Sequence, residues 1–491
     1  MISMLHKNGV MEIPLDPPPP TKQPSDMEYR LDWSGAMNST PQWLKDAKFG
    51  IFFHWGPYCV PEYDCEWYSR NMYTTDHSAN KFHVENYGPI TQYGYKNLVN
   101  LFTGENFNAD DWITLFARTG ARYVVACAEH ADGYSLWNSN VNPYNSMTYG
   151  LGFDAIQAVK AAAERADMKF AASMHHSWNF GWFCSTDPLA DVYNTKNTMF
   201  YGDPLPYSSS WYYPPFIFPD EAFQHTWLAK LKEIVDKFLP DYIYLDSRVY
   251  IMKEECRLEF AEYYLNAARN AGKEAVFSYK ANDFQAGSGF LDYERQWMKN
   301  IQNDFWQCDD TIIWESWGYI SHGTFRTADI CIAQLADTVS KNGNYLLNVS
   351  PRKDGTHDDT TLSILCDIGE WLKVNGEAIY SSRHFVVFGE GPTEQIDRVT
   401  LPSQYVPFTA LDVRFTQKDG TLYAILLGWP ESGIMSVKTL RTGGALQDTI
   451  RRIIMLGDGN PLAFTQDSMA LHVTLPQTQP CKYAFTLKIE F

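Results

Sequence analysis

Residues 221–247, EAFQHTWLAKLKEIVDKFLPDYIYLDS, contain the pattern that decides the fold. Residues 221–238 predict an amphipathic helix, and residues 242–247 predict an apolar strand that ends in an aspartate. A helix that leads into a continuously apolar strand is typical of a parallel sheet, because crossover helices bury both faces of such a sheet. Repetition of this unit along the chain would define an α/β fold.

The same alternation of strands and helices extends in both directions from this unit. Further strands are predicted over 49–55, 122–130, 168–176, 274–280 and 344–350, and further helices over about 109–119, 153–166, 255–271, 327–341 and 359–374. Gly120 and Gly272 directly follow two of these helices, as expected for residues that end a helix in the left-handed conformation. The number of units favours a (β/α)8-like barrel over the alternative, a doubly wound open sheet.

The last quarter of the chain has a different pattern. Short runs of alternating apolar and polar residues, separated by turns, occur at 410–416, 421–428 and 482–490. This pattern is typical of an antiparallel β-sandwich. For a chain of 491 residues, two or three domains are expected. We predict an extended, proline-stiffened lead-in over 1–30, a catalytic barrel over 31–385 and a β-sandwich over 386–491.

The composition excludes some classes of partner. A formal net charge of −18 argues against nucleic acid or an anionic membrane surface, because both require a basic face. No apolar run is long enough for a transmembrane helix. The 16 Trp, 30 Tyr and 29 Phe indicate either sugar binding through aromatic stacking or a large aromatic core. The location stays open: cytoplasmic, or secreted or periplasmic if a signal peptide was removed.

Polar residues cluster where the predicted strands end, which is where barrel enzymes carry their chemistry. These residues are His54, His130, Asp132, His175, His176 and Asp246, with Glu294 in a segment that follows the fifth predicted strand. Carboxylates accompanied by histidine and tryptophan suit glycoside hydrolysis. In that reaction one carboxylate attacks the anomeric carbon and another protonates the leaving oxygen.

Each candidate also has a purely structural interpretation. Asp246 could cap the following helix, and Glu294 could form a surface ion pair with Arg295. His130 and His175, together with Asp132 and His176, lack the HxxxH or HExxH spacing of a metal site, so we predict neither a metal nor a cofactor.

Several segments together resemble glycoside hydrolase family 29, the α-L-fucosidase family. The densest match is 43–73, WLKDAKFGIFFHWGPYCVPEYDCEWYSRNMY. Further matches follow in order at 107–112, 118–125, 316–319, 340–355, 371–380 and 423–430. The resemblance implies an exo-acting α-L-fucosidase that hydrolyses terminal α-L-fucosyl residues of glycans or polysaccharides. It also implies a retaining double displacement without a cofactor.

The resemblance assigns roles to individual residues. Asp246, at the end of PDYIYLD, falls where the family has its nucleophile, and Glu294, in LDYERQW, falls where it has the acid/base. Glu315, in WESWGY, is the reserve candidate for the acid/base. Four residues match positions that contact the sugar in the family: His54, Glu66, Trp67 and His130. Trp317 is expected to form a hydrophobic wall against the methyl group of fucose.

Two departures from the family pattern concern the sugar pocket. Ala131 stands where the family usually has a second histidine, and His175 or His176 could occupy the space that it leaves. Arg248 follows Asp246 in a segment that is often DG-x-W in the family. It either pairs with a neighbour or meets a sulfate or carboxylate of the substrate. The alternatives are therefore a hydrolase for another L-sugar or for sulfated fucose, or a non-catalytic carbohydrate-binding barrel. The oligomeric state stays open.

Overall fold

A computed structural model describes residues 29–207 and 218–491, and the backbone of two short strands, His6–Lys7 and Val10–Met11, that pair antiparallel. The predicted lead-in over 1–30 therefore lies almost entirely outside the described residues. No helix within the described ranges is long and apolar enough to cross a membrane.

Eight parallel strands close into a barrel in which each strand pairs with the next and the last pairs with the first. They are β1 (Phe49–Phe53), β2 (Tyr123–Glu129), β3 (Lys169–Met174), β4 (Tyr242–Leu245), β5 (Val276–Tyr279), β6 (Phe290–Asp292), β7 (Trp306–Thr311) and β8 (Gly343–Val349). A C-terminal antiparallel part follows the barrel. The predicted fold class is confirmed.

The described α-helices precede, connect and follow the barrel strands. They are α1 (Gln42–Ala47), α2 (Tyr68–Asn71), α3 (Ser78–Asn86), α4 (Tyr95–Leu98), α5 (Ala109–Thr119), α6 (Ala155–Arg165), α7 (Thr198–Tyr201), α8 (Glu221–Phe238), α9 (Glu254–Asn270), α10 (Ala328–Ser340) and α11 (Asp359–Asn375). All six helices predicted from the sequence are found, with ends that differ by two residues or fewer.

The barrel interior is filled by side chains from alternate strand positions. Phe52, Val125, Tyr244 and Leu346 are buried in one inner cluster, while Phe53 packs outward against the helices. Because both faces are buried, the strands appear in the sequence as continuous apolar runs. The barrel is therefore a packed core that supports a site at its carboxyl end.

Strands β6 and β7 were not predicted from the sequence. β6 has only three residues, and β7 directs the polar side chains of Gln307 and Asp309 into hydrogen bonds inside the barrel. Neither strand therefore produces an apolar run of ordinary strand length. The predicted position of Glu294 after the fifth strand is therefore wrong. Glu294 follows the sixth strand, and Lys280 follows the fifth.

The C-terminal part contains two antiparallel sheets. Its strands are β9 (Arg383–Glu390), β10 (Val413–Lys418), β11 (Thr421–Leu426), β12 (Ile434–Val437), β13 (Arg452–Met455), β14 (Phe464–Gln466), β15 (Leu471–Thr474) and β16 (Phe485–Glu490). The five-stranded sheet has the order β9-β10-β11-β16-β13, and the three-stranded sheet has the order β12-β15-β14. Arg414 of β10 pairs with Asp337 of α10 at 2.6 Å, which ties the sheet to the barrel. The predicted boundary between 385 and 386 falls inside β9.

Candidate active site

Five neighbouring barrel strands each end directly before a polar residue. These residues are His54 after β1, His130 after β2, His175 after β3, Asp246 after β4 and Lys280 after β5. The carboxyl ends of parallel strands in a closed barrel surround one space, so the side chains converge on a single pocket. The sequence predicted four of the five and missed Lys280.

Asp246 is held by the side chains of His175 and Lys280. Its Oδ2 lies 3.3 Å from His175 Nδ1, and its Oδ1 lies 3.5 Å from Lys280 Nζ. Burial alone would raise the pKa of Asp246, but Lys280 and His175 outweigh burial and hold that pKa well below its usual range. The carboxylate is therefore ionised at neutral pH.

Lys280 joins Asp246 to a second carboxylate. Its Nζ lies 3.2 Å from Glu294 Oε2, so the two carboxylate oxygens that it contacts are no more than 6.7 Å apart, the sum of these two distances. Burial would lower the pKa of Lys280, but the surrounding carboxylates raise it well above its usual value. A permanent ammonium group thus stands between Asp246 and Glu294.

Two further carboxylates lie beneath this ammonium group. Asp292 Oδ1 and Asp309 Oδ2 are 3.5 Å and 3.6 Å from Lys280 Nζ. Burial, together with the nearby charge of Asp309, raises the pKa of Asp292 well above its usual value. The ammonium group of Lys280 acts in the opposite direction and lowers the pKa of Asp292.

Glu294 contacts a second cation at the mouth of the pocket. Its Oε1 lies 2.5 Å from Nη2 of Arg398, a residue of the segment between β9 and β10. Burial would raise the pKa of Glu294, but Lys280 and Arg398 lower it. Glu294 remains 29% exposed, so a substrate can reach it.

Three histidines line the floor of the pocket with different charges. Burial lowers the pKa of His54 to about 3 and that of His130 well below its usual value, so both are neutral. Burial would also lower the pKa of His175, but Cys127 and Asp246 raise it to about 10. His54 Nδ1 donates to Asn348 Oδ1 at 2.8 Å, because the amide nitrogen of Asn348 donates to Trp317 O. His54 Nε2 is left as an acceptor.

Aromatic rings and one buried carboxylate form the wall. The ring centroid of Trp317 lies 5.2 Å from that of His54, and the backbone N–H of Trp317 donates to Glu66 at 2.8 Å. Trp67 packs against Trp178 and Trp182, with ring centroids at 5.4 Å and 4.7 Å. Flat apolar rings beside polar groups are the surface that a monosaccharide requires.

His176 does not face this pocket, contrary to the sequence-based prediction. Its Nδ1 lies 2.5 Å from Glu129 Oε1, and its ring stacks on Phe223 of α8 at 4.9 Å. The strand β3 ends at Met174 and a 3-10 helix begins at His176, so the chain turns between His175 and His176 and their side chains point in different directions. His175 faces the barrel axis and His176 faces the helix layer, where Lys230 also contacts Glu129.

Arg248 and Glu315 are also placed by the structure. Arg248 is buried, stacks over Trp178 at 5.3 Å and donates to the backbone oxygen of Phe180 at 3.1 Å. It thus holds the loop after β3, which agrees with the interpretation that it pairs with a neighbour. Glu315 is exposed, and its Oε2 accepts a hydrogen bond from Thr324 N at 2.9 Å. Its carboxylate is engaged outside the contacts around Lys280.

One group of side chains among the described residues has the chemistry of a metal site. Ligand atoms of His54, Cys127 and His175 all lie within 4.8 Å of one another, and imidazole and thiolate are ligands that Zn²⁺ accepts. The four residues considered from the sequence do not form such a group. Among them, Asp132 accepts a hydrogen bond from Tyr95 and His176 contacts Glu129. No step of the chemistry proposed below involves a metal.

The barrel and its pocket define a class of enzyme. An ionised carboxylate and a second carboxylate meet across one ammonium group, beside histidines and tryptophans suited to a sugar. This arrangement is that of a (β/α)8-barrel glycoside hydrolase.

The family follows from comparison with known proteins. Residues 20–377 match the model of the α-L-fucosidase family, and residues 407–490 match the model of the α-L-fucosidase C-terminal domain. The chain belongs to the α-L-fucosidase family and is a glycoside hydrolase. The sequence-based predictions of the family and of the enzyme class are confirmed.

Curated and solved relatives agree with this assignment. The tissue α-L-fucosidase of Rattus norvegicus is 29% identical over 481 residues, which cover 94% of this chain and 92% of that protein. The structure of Thermotoga maritima α-fucosidase in complex with fucose has a TM-score of 0.75 at 23% identity and covers 94% of this chain and all of that one. A family 29 α-L-fucosidase from Bacteroides thetaiotaomicron, trapped as a covalent intermediate, has a TM-score of 0.65 at 15% identity, with coverage of 94% and 99%.

Proposed function

We propose that this chain is a retaining exo-α-L-fucosidase in which Asp246 is the nucleophile and Glu294 is the acid/base. The observation that carries the proposal is the position of Lys280 Nζ, 3.5 Å from one carboxylate and 3.2 Å from the other. Retaining glycosidases hold these groups about 5–5.5 Å apart, which is within the limit that the shared ammonium group sets. The substrate is a fucosylated glycan, as the family implies.

The reaction proceeds in two balanced steps. In the first step, an oxygen of Asp246 attacks the anomeric carbon while the glycosidic C–O bond breaks, and Glu294 gives its proton to the departing oxygen. In the second step, Glu294 takes a proton from water, whose oxygen attacks the anomeric carbon and releases Asp246. The relative trapped as a covalent intermediate supports a glycosyl-enzyme of this kind.

The pocket walls support recognition of a deoxy sugar. His54 Nε2 is an acceptor for a hydroxyl, and the buried Nδ1 of His130 has no hydrogen-bond partner among the described residues. An unpartnered buried polar atom is costly, so a sugar hydroxyl at His130 would satisfy it. Trp317 offers an apolar face beside His54 for the methyl group of fucose.

The structure does not favour the alternative in which the pocket binds a sulfated fucose. That alternative rested on Arg248, and the guanidinium of Arg248 is directed to backbone oxygens of the loop after β3. We therefore retain α-L-fucose as the sugar that is cleaved.

The proposal is tested with an aryl α-L-fucoside, using the wild type and the variants Asp246→Ala and Glu315→Gln. Proton NMR follows the anomer that is released first. We expect the wild type and Glu315→Gln to release the α-anomer and Asp246→Ala to lose turnover. Release of the β-anomer would contradict retention, and an active Asp246→Ala variant would remove Asp246 from its proposed role.

A further inference from the structure

Two cations hold the proposed acid/base, Glu294, in the arrangement that the structure shows. Oε1 of Glu294 lies 2.5 Å from Arg398 Nη2, and Oε2 lies 3.2 Å from Lys280 Nζ. Both oxygens therefore face donors that keep their charge, and a guanidinium does not lose its proton in proteins. A carboxylate between two such groups resists the proton that a general acid must donate. Departure of either cation would therefore favour the protonated form of Glu294, which the first step requires.

Arg398 is the cation that can leave. Its side chain is 54% exposed, whereas that of Lys280 is 12% exposed and faces three further carboxylates. The exposed guanidinium can therefore exchange its partner for a ligand from solution, while Lys280 stays in place. The released Glu294 would keep Lys280, Arg295, Asp246 and Glu66 as charged groups close to it.

The backbone that carries Arg398 is fixed next to the catalytic loop. Arg398 forms a β-bridge with Gln296, and Trp297 N donates to Asp397 O at 2.8 Å. The neighbouring Val399 is buried between Trp297 and Trp314. The backbone of Arg398 is therefore fixed opposite Gln296, two residues after Glu294 in the sequence. Only the end of the Arg398 side chain is available to move.

We propose that Arg398 is the leaving-group subsite of this enzyme and binds an anionic group, a carboxylate or a sulfate, on the residue to which fucose is attached. This inference rests on the proposed roles of Asp246 and Glu294. A guanidinium binds carboxylate and sulfate through paired, charge-assisted hydrogen bonds. An anion on the leaving group occupies the same side of the scissile bond as the acid/base, so it competes with Glu294 Oε1 for Arg398.

Binding of the anion prepares the first chemical step. When Arg398 turns to the leaving group, Glu294 loses one of its two cationic neighbours, and the new anion lies close to it. Both changes favour the protonated carboxyl group, which is the form that donates to the departing oxygen. The same contact thus selects the substrate and releases the acid.

The test uses three aryl α-L-fucosides with similar phenol leaving groups: 3-carboxyphenyl, 3-sulfophenyl and 3-carbamoylphenyl. They are assayed with the wild type, Arg398→Gln and Lys299→Gln. Lys299 is the matched control, because it is an exposed cation that pairs with Asp397 of the same segment. We expect the wild type and Lys299→Gln to prefer the anionic fucosides by roughly tenfold or more in kcat/KM, and Arg398→Gln to lose this preference. The two anionic probes distinguish a carboxylate from a sulfonate site.

The pH profile gives an independent measure. With the neutral 3-carbamoylphenyl fucoside, Arg398→Gln removes a cation from Glu294, so the basic limb of kcat/KM should move to higher pH. No preference in the wild type, or a preference that survives in Arg398→Gln, would overturn the inference. A wild type that cleaves none of the three fucosides would instead contradict the proposed function.

Discussion

Lys280 Nζ lies 3.5 Å from Asp246 Oδ1, and this contact sets the charge of the proposed nucleophile. Replacing Lys280 by Met removes the cation that opposes the burial of Asp246, so the pKa of Asp246 rises. The reaction requires ionised Asp246, and the acid limb of kcat/KM for an aryl α-L-fucoside should therefore move to higher pH. The rate at neutral pH should fall by about 10²–10³-fold.

Lys280→Arg is the control for this prediction. It keeps a positive charge near Asp246, so its acid limb should stay closer to that of the wild type than the limb of Lys280→Met. The measurement is the pH dependence of kcat/KM for the wild type, Lys280→Met and Lys280→Arg with one substrate. An unchanged acid limb in Lys280→Met would mean that the contact does not control the ionisation of Asp246.

Glu294 and Glu315 are distinguished by rescue with azide. Glu294→Gln should lower kcat for a fucoside with a poor leaving group by about 10²–10⁴-fold, because general acid catalysis is lost. With an activated aryl fucoside, the intermediate should accumulate, and added azide should release α-L-fucosyl azide. Glu315→Gln should behave as the wild type, since its carboxylate is engaged with Thr324 N. If only the Glu315→Gln variant forms α-L-fucosyl azide, Glu315 rather than Glu294 is the acid/base.

Much of the pocket could be predicted because its residues end apolar strands. His54, His130, His175 and Asp246 each follow a run whose apolar character is visible in the sequence. Lys280 also directly follows an apolar strand, Val276–Tyr279. A single lysine after a short strand resembles a surface residue, however, and only closure of the barrel surrounds it with carboxylates.

Other features depend on contacts that the sequence does not display. Arg398 is 104 residues from Glu294 and belongs to the segment that leads into the sandwich. Asn348 orients His54 from 294 residues away. The different directions of His175 and His176 follow from one local turn. The division into 31–385 and 386–491 stays a prediction.

The charge of His175 should be visible in the stability of the protein. Its pKa is raised to about 10, above the ordinary value of about 6.5. A histidine with a raised pKa in the folded state contributes stability that is fully present below pH 6.5 and is lost as the pH rises through 10. The free energy of unfolding of the wild type minus that of His175→Gln should therefore decrease between about pH 6.5 and 10. Urea unfolding at several pH values measures this difference, and a constant difference would contradict a charged His175.

Trp317 should determine how strongly the enzyme prefers a methyl group at C5 of the sugar. Its indole ring lies beside His54 and Phe52, with centroids at 5.2 Å and 6.2 Å, and offers an apolar surface to that methyl group. L-Galactose differs from L-fucose by one hydroxyl at this position. The wild type should therefore prefer an aryl α-L-fucoside over the matching α-L-galactoside, and Trp317→Ala should reduce this preference by roughly 10–100-fold in kcat/KM. Trp67→Ala is the comparison, because Trp67 lies on the wall that Trp178 and Trp182 form. If Trp67→Ala loses the preference and Trp317→Ala keeps it, the methyl group lies against the other wall of the pocket.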